Sequence, residues 1–291
     1  MKLIFGCGYL GERVAALWEQ RGETVVAVTR SADRAKAWTA AGRSAIVADV
    51  TQADTLKRLP QADTVLWAVG FDRSTNAKMR DVYVSGLSNT LTTLAEHPPG
   101  RFVYVSSTSV YGHADGEVID ESSTCTPDRE NGHVCLEAEA LLQNGPLAEQ
   151  TIILRLAGIY GPGRLPNLAR LSAGEAIAAE PEHRLNLIHV DDAAAAVTVA
   201  STENVESPNL FVVADGQPVK RREFYQQAAT LWQTLPPVFD PVLASRSRRG
   251  STADKRIDNT KLRHNLLPTL LYPDFQSGLT GIHSAGEETG N

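Results

Sequence analysis

The sequence predicts an α/β fold, a doubly wound parallel sheet carrying a smaller C-terminal lobe, on three observations. Short apolar runs alternate with longer amphipathic stretches through the first half of the chain, the pattern of parallel strands joined by crossover helices. The first run passes straight into a glycine-rich turn, Gly6-Cys7-Gly8-Tyr9-Leu10-Gly11, that opens a helical stretch. With 291 residues, 42% of them hydrophobic, the chain can bury a full core and still build a second lobe.

Residues 2–5, 24–29, 44–48, 64–68 and 101–105 are the apolar runs that predict the first five strands. Between them, 11–20, 34–41 and 80–96 have helical length and spacing, and His97-Pro98-Pro99-Gly100 stops the last of these. Strands at 151–156 and 209–213 extend the sheet. Gly161-Pro162-Gly163 and Leu165-Pro166 turn the chain out of it. An alanine-rich helix returns at 193–200, with Asp191 and Asp192 placed to cap it. Beyond Pro218 one helix is expected, at 222–232, then Pro-rich and polar sequence and a small polar tail, 285–291, that frays. The sheet domain is thus expected to comprise 1–164 plus 187–215, and the lobe 165–186 plus 216–291.

A glycine turn directly after a strand and before a helix makes three physical demands: a tight turn at Gly6, close approach of a pyrophosphate at Gly8, and helix against strand at Gly11. Tyr9 and Leu10 complete the expected cradle, which is that of a Rossmann dinucleotide site. In the NAD form of this site an acidic residue about 20 positions on receives the ribose hydroxyls. Here the second strand ends Val28-Thr29-Arg30-Ser31, without a carboxylate. Arg30 and Ser31, with Arg34 nearby, suit a 2′-phosphate instead, so NADP is expected over NAD; the alternative is that Arg30 is a solvated strand end. Asp49 and Val50, closing the third strand, sit where an adenine amino group would be read, and Ala68, Val69 and Gly70, closing the fourth, would line the cofactor.

A net charge of −6 gives no overall field toward nucleic acid or an anionic membrane, so a small-molecule partner is expected, and no metal. Cys7, Cys125 and Cys135 are odd in number and fit no zinc spacing, which suits a reducing, cytoplasmic setting. No run approaches the roughly 18 consecutive apolar residues of a membrane span.

Further along stand Val105-Ser106-Ser107-Thr108-Ser109-Val110-Tyr111-Gly112, Leu154-Arg155-Leu156-Ala157-Gly158-Ile159-Tyr160-Gly161-Pro162-Gly163 and Leu187-Ile188-His189-Val190-Asp191-Asp192. With the glycine turn, these make the chain resemble the short-chain dehydrogenase/reductase superfamily in its extended, NAD-dependent epimerase/dehydratase form, over nearly its whole length. The resemblance implies that Ser107 holds the substrate oxygen and that Gly158 lines the cofactor. It also implies a Tyr-x-x-x-Lys helix that moves a proton. That helix appears here as Asn131-Gly132-His133-Val134-Cys135-Leu136-Glu137-Ala138-Glu139, with both reactive residues replaced. The family's helical asparagine falls near Tyr83, and Phe5 stands where extended members carry their first glycine. This combination is most similar to the atypical, YeeZ-like branch of the superfamily. Relatives of this kind dimerise through helices corresponding to 80–96 and 137–143, so a monomer or homodimer is expected.

Asparagine has no accessible pKa for proton transfer, although Asn131 can donate a hydrogen bond to an oxyanion. Cys135 would ionise only beside a cation that lowered its pKa. Tyr111, Tyr160, Tyr83, His133 and His189 are alternative proton carriers, with Tyr111 and Tyr160 equally suited to pocket walls; His133 and Cys135, two apart on a helix, point to different faces. Basic residues at Lys220-Arg221-Arg222, Arg246-Ser247-Arg248-Arg249 and Lys255-Arg256 lie where, in epimerase-like relatives, cations receive a nucleotide diphosphate; the alternative is a solvated face. Two functions stay open: an NADP-dependent oxidoreductase or epimerase-like enzyme acting on a hydroxyl or carbonyl compound, a sugar or nucleotide sugar among them, or an NADP-binding protein without turnover.

Overall fold

Strand β1 (Lys2–Phe5) is apolar after its first residue because both of its faces are covered: Leu3, Ile4 and Phe5 are all buried. Our computed structural model describes residues 1–72, 77–202, 204–246 and 253–288. Beyond β1 the order is α1 (Gly11–Gln20), β2 (Val25–Thr29), α2 (Ala32–Ala40), β3 (Ser44–Val47), α3 (Ala53–Leu56) and β4 (Thr64–Trp67). A π-type turn, Asp81–Ser85, leads into α4 (Gly86–Leu94), followed by β5 (Arg101–Ser107), β6 (Glu117–Ile119), α5 (Glu130–Gln143), β7 (Thr151–Leu156) and β8 (Gly158–Tyr160). Then come α6 (Leu168–Ala173), β9 (Arg184–Leu185), β10 (Leu187–His189), α7 (Val190–Ala200), β11 (Asn209–Val213), β12 (Val219–Lys220), α8 (Arg221–Leu231), α9 (Pro241–Arg246), β13 (Lys255–Ile257), α10 (Thr260–Asn265) and α11 (Phe275–Glu288).

Seven strands form one sheet in the order β11-β7-β5-β4-β1-β2-β3. The pairs β2/β3, β1/β2, β1/β4 and β4/β5 are parallel, with Phe5 beside Val28 on one side and Trp67 on the other. This is the expected Rossmann sheet. Its strand order reverses between β1 and β4, so the crevice outside their carboxyl ends is the physical place for a ligand.

The chain divides into two compact units. The first comprises Met1–Val110, Glu130–Arg155 and Ala194–Phe211, with a core that includes Phe5, Trp67, Leu87, Phe102 and Tyr104. The second comprises Tyr111–Arg129, Leu156–Ala193 and the described chain from Val212. It contains the strand pairs β8/β10, β9/β12 and β6/β13 and a core of Tyr160, Leu187, Phe224, Phe275 and Leu279. No helix among the described residues is long and apolar enough to cross a membrane.

Two expectations are corrected. Past Pro218 the described residues hold not one helix but four, and α11 is the longest of them, continuing to Glu288 through part of the tail expected to fray; residues 289–291 lie outside the described residues. Its glycines hid it, because glycine lowers helix propensity. In the structure Gly278 sits against the Tyr160 ring and Gly281 against Tyr272, where a Cβ would collide. Asp192, expected to cap α7, lies inside its first turn. Its carboxylate is buried and accepts the backbone N–H groups of Leu271 and Tyr272 at 2.7 and 2.9 Å, tying the segment before α11 to α7.

Candidate functional site

The three glycines of the first turn have three different surroundings. Gly6 has φ +89°, in the left-handed region, and a Cβ there would overlap the Ala68 carbonyl at the end of β4. At Gly11 a Cβ would overlap the Gly6 carbonyl and sit 3.4 Å from Ile4 Cγ2, so α1 lies directly on the turn. A Cβ on Gly8 would meet nothing within 4 Å among the described residues, and the same holds for Gly70 beyond β4. The turn is therefore closed toward the protein at its first and third glycines and open at the second. No side chain caps α1, whose N-terminus follows at Leu10; such an end attracts an anion. Arg13 lies over the Tyr9 ring, 4.3 Å from its centroid. Cys7 is a buried thiol pushed up to about 12 by desolvation, which makes it inert in the turn.

At the end of β2, Arg30 is half-exposed and its Nη2 donates to Asp72 Oδ2 at 2.5 Å. Ser31 is the N-cap of α2, accepting Arg34 N–H at 3.2 Å, so its hydroxyl can still donate outward. Asp49 Oδ1 accepts both the N–H and hydroxyl of Thr51. Val50 is bound to α4: its carbonyl accepts Asn89 Nδ2 at 3.0 Å, and its side chain fills the space beside Gly86. Ala68 donates to the Phe5 carbonyl at 2.8 Å, and Tyr83 Oη accepts Phe71 N–H at 3.1 Å. Arg30, Ser31, Asp49, Val50 and Ala68-Val69-Gly70 thus all stand at or just beyond the carboxyl ends of β2, β3 and β4, with the glycine turn at the end of β1. Gly158 begins β8 in the second unit, where its N–H donates to the Asn186 carbonyl at 3.0 Å.

Ser107 ends β5 and its hydroxyl accepts Ser109 N–H at 3.1 Å. Asn131 is half-buried in the first turn of α5, and Cys135, one turn on, is buried. Burial, reinforced by the Glu139 carboxylate, pushes the Cys135 thiol up to about 11, against the opposing pull of the Ser109 and Ser106 hydroxyls and of Arg155. No cation makes it a thiolate. His133, as the helical spacing requires, is exposed.

Behind this helix lies a network that the sequence did not reveal as functional. Glu139, 2% exposed, accepts Ser106 Oγ at 2.6 Å and a forked pair from Arg155, Nε to Oε1 at 3.0 Å and Nη2 to Oε2 at 2.6 Å. It ties α5 to β5 and β7. The signal available was the charge of Arg155 inside the apolar run of β7.

The remaining candidates belong to the second unit. Tyr111 is fully buried, and its carbonyl accepts Lys255 Nζ. Tyr160 is fully buried against His189 and Phe224, and burial pushes its phenol far up. His189 is 1% exposed, its ring 3.8 Å from that of Tyr272. The cations separate by role. Lys220 and Arg222 pair with Glu182, and Arg256 donates to the Gly116 carbonyl. Burial lowers Lys255 to about 8 and pulls Arg221 down, and Arg129 depresses both further by its charge. Arg129 Nη2 is itself buried without a hydrogen-bond partner among the described residues. In Arg246–Arg249, residues 247–249 lie outside the described residues. No group of three or more potential metal ligands forms among the described residues.

The family model for the NAD dependent epimerase/dehydratase family matches residues 3–214. The chain belongs to this family. Among relatives, protein YeeZ of Escherichia coli K12 is 31% identical over 276 residues, covering 93% of this chain and 96% of YeeZ. A solved structure from Methylobacillus flagellatus, provisionally assigned as an NAD-dependent epimerase/dehydratase, is 30% identical with TM-score 0.76 and covers 98% of both chains. The UDP-glucose 4-epimerase of Thermotoga maritima, solved with UDP-glucose, superposes with TM-score 0.81 over 99% of both chains at 18% identity, a likeness of fold alone. The family is NAD-dependent by its description, and solved structures with NAD bound share the fold.

Proposed function

We propose that the chain holds NADP, in preference to NAD, over the Gly6–Gly11 turn and acts on a hydroxyl or carbonyl compound bearing an anionic group, with nucleotide sugars the leading class. The observation that carries this reading is the open space at Gly8 between two glycines closed by protein backbone, since a Cβ there would fill the place of a pyrophosphate and nothing else. Arg30 supports the 2′-phosphate, and Asp49 and Ala68-Val69-Gly70 support the adenosine. Lys255, buried, and Arg221, part-buried, both pulled down by burial and then by the charge of Arg129, support an anion in the second unit. The Thermotoga maritima epimerase, with its UDP-glucose, is the precedent for the substrate class.

When bound, the nicotinamide supplies a hydride acceptor or donor. Ser107 holds the substrate oxygen by its hydroxyl, and Asn131 adds a hydrogen bond without exchanging a proton. Positioned acid–base groups are worth about 10²–10⁴ in rate, and an atypical residue or water relays the proton in place of the family's tyrosine.

Calorimetric titration of nucleotide-stripped protein with NADPH and NADH tests the cofactor. Micromolar NADPH with weaker NADH supports it, and no binding of either removes it. One observation favours a second reading, dinucleotide binding without turnover: Asn131 and a neutral, buried Cys135 replace both reactive residues. Asn131→Tyr with Cys135→Lys separates the two, since activity created where the native chain has none supports the second and a rate lowered from a native turnover excludes it.

A further inference from the structure

Arg30 does not wait alone at the end of β2. Its guanidinium is held by Asp72, 42 residues later and five beyond the end of β4, with Nη2 on Oδ2 at 2.5 Å. The two side chains are 41% and 47% exposed, so the pair is solvated and contributes little to stability. What it does is electrostatic. A carboxylate is fixed within one guanidinium's width of the place where a 2′-phosphate would be read, at the sheet edge where the fold otherwise puts an acid on β2 itself.

We infer that Asp72 is a specificity-determining residue: it competes with the 2′-phosphate for Arg30 and so limits the preference for NADP over NAD. This rests on the reading of Arg30 given above. A 2′-phosphate carries about 1.5 to 2 negative charges near neutrality, and the carboxylate of Asp72 would stand roughly 6 Å from it. In water that repulsion weakens NADPH about fivefold at about 20 mM salt and about two- to threefold at physiological salt, where screening reaches only about 8 Å. NAD carries a hydroxyl at this position and feels almost none of it. If Asp72 only oriented Arg30, its removal would instead weaken NADPH.

The experiment is calorimetric titration of the full chain, stripped of nucleotide, with NADPH and NADH at about 20 mM and about 150 mM salt, for the native protein, Asp72→Asn and Arg30→Met. The expected result is a gain in NADPH affinity for Asp72→Asn of about fivefold at the lower salt and about two- to threefold at the higher, with NADH changed less than about twofold. NADPH affinity that is unchanged or lower in Asp72→Asn, in a native protein that does prefer NADPH and loses that preference in Arg30→Met, overturns the inference and leaves the Arg30 reading standing. A native protein with no NADPH preference, indifferent to Arg30→Met, overturns the Arg30 reading and the inference with it.

Discussion

Replacing Gly8 by alanine and Gly6 by alanine, two residues apart in the same turn, should have opposite consequences. At Gly8 the added methyl meets nothing within 4 Å among the described residues, and its φ is not in the left-handed region. The folded state therefore loses nothing, and the restricted unfolded chain adds about 0.4–1 kcal/mol of stability. The same methyl occupies the space assigned to the pyrophosphate. Losing one hydrogen bond to a charged group costs about 1.5–3 kcal/mol, so dinucleotide affinity should fall roughly 10- to 150-fold. At Gly6 an alanine must hold φ +89° and overlap the Ala68 carbonyl. The first costs about 1–2 kcal/mol and the second, forcing β1 and β4 apart, about 1–3 kcal/mol, for a loss of about 2–5 kcal/mol. Urea unfolding followed by circular dichroism, beside calorimetric titration with NADPH, reads both quantities. A Gly8→Ala protein that binds NADPH as tightly as the native chain, or that unfolds as readily as Gly6→Ala, would refute the assignment of the open space to the cofactor.

Arg155→Met leaves Glu139 buried and unpaired, 2% exposed, and should cost about 3–5 kcal/mol in urea unfolding; Glu139→Met combined with it should recover much of that loss, and a single variant that unfolds like the native protein would show the pair to be dispensable. Cys135, pushed up to about 11, should be only about one part in a thousand thiolate at pH 8. Iodoacetamide should therefore label it far more slowly than an ordinary cysteine, with the rate rising only toward pH 11, and rapid labelling at pH 7 would contradict a buried, neutral thiol. Asp215 is raised to about 7 by burial and by the neighbouring charges of Asp274 and Asp192, with Oδ1 accepting Gln217 N–H and Oδ2 buried without a partner among the described residues. Its folded pKa lies above the unfolded value, so its stabilising effect is complete below about pH 4 and is lost as pH rises through about 7. Asp215→Asn should remove that decline, seen as a flatter urea midpoint between pH 4 and 8; an unchanged slope would place the carboxyl in water.

The sheet and the glycine turn were legible before any coordinates. Both are written in local patterns: apolar runs of strand length at 2–5, 151–156 and 209–213 agree with β1, β7 and β11 residue for residue, because strands covered on both faces must be continuously apolar. The roles of Gly6 and Gly11 follow from spacing for the same reason, since a turn between a strand and a helix leaves few backbone solutions. The helix α11 was not legible, because Gly278 and Gly281 read as breakers until Tyr160 and Tyr272 were seen to pack against them. The use made of the polar residues follows from the folded arrangement alone. Ser106, Glu139 and Arg155 lie 33 and 16 residues apart, Asp192 clamps backbone 79 and 80 residues away, and Arg30 meets Asp72 across 42. A charge carries no record of its partner in a linear pattern. Burial and distance set its pKa, and both are fixed only when the sheet brings separate segments together.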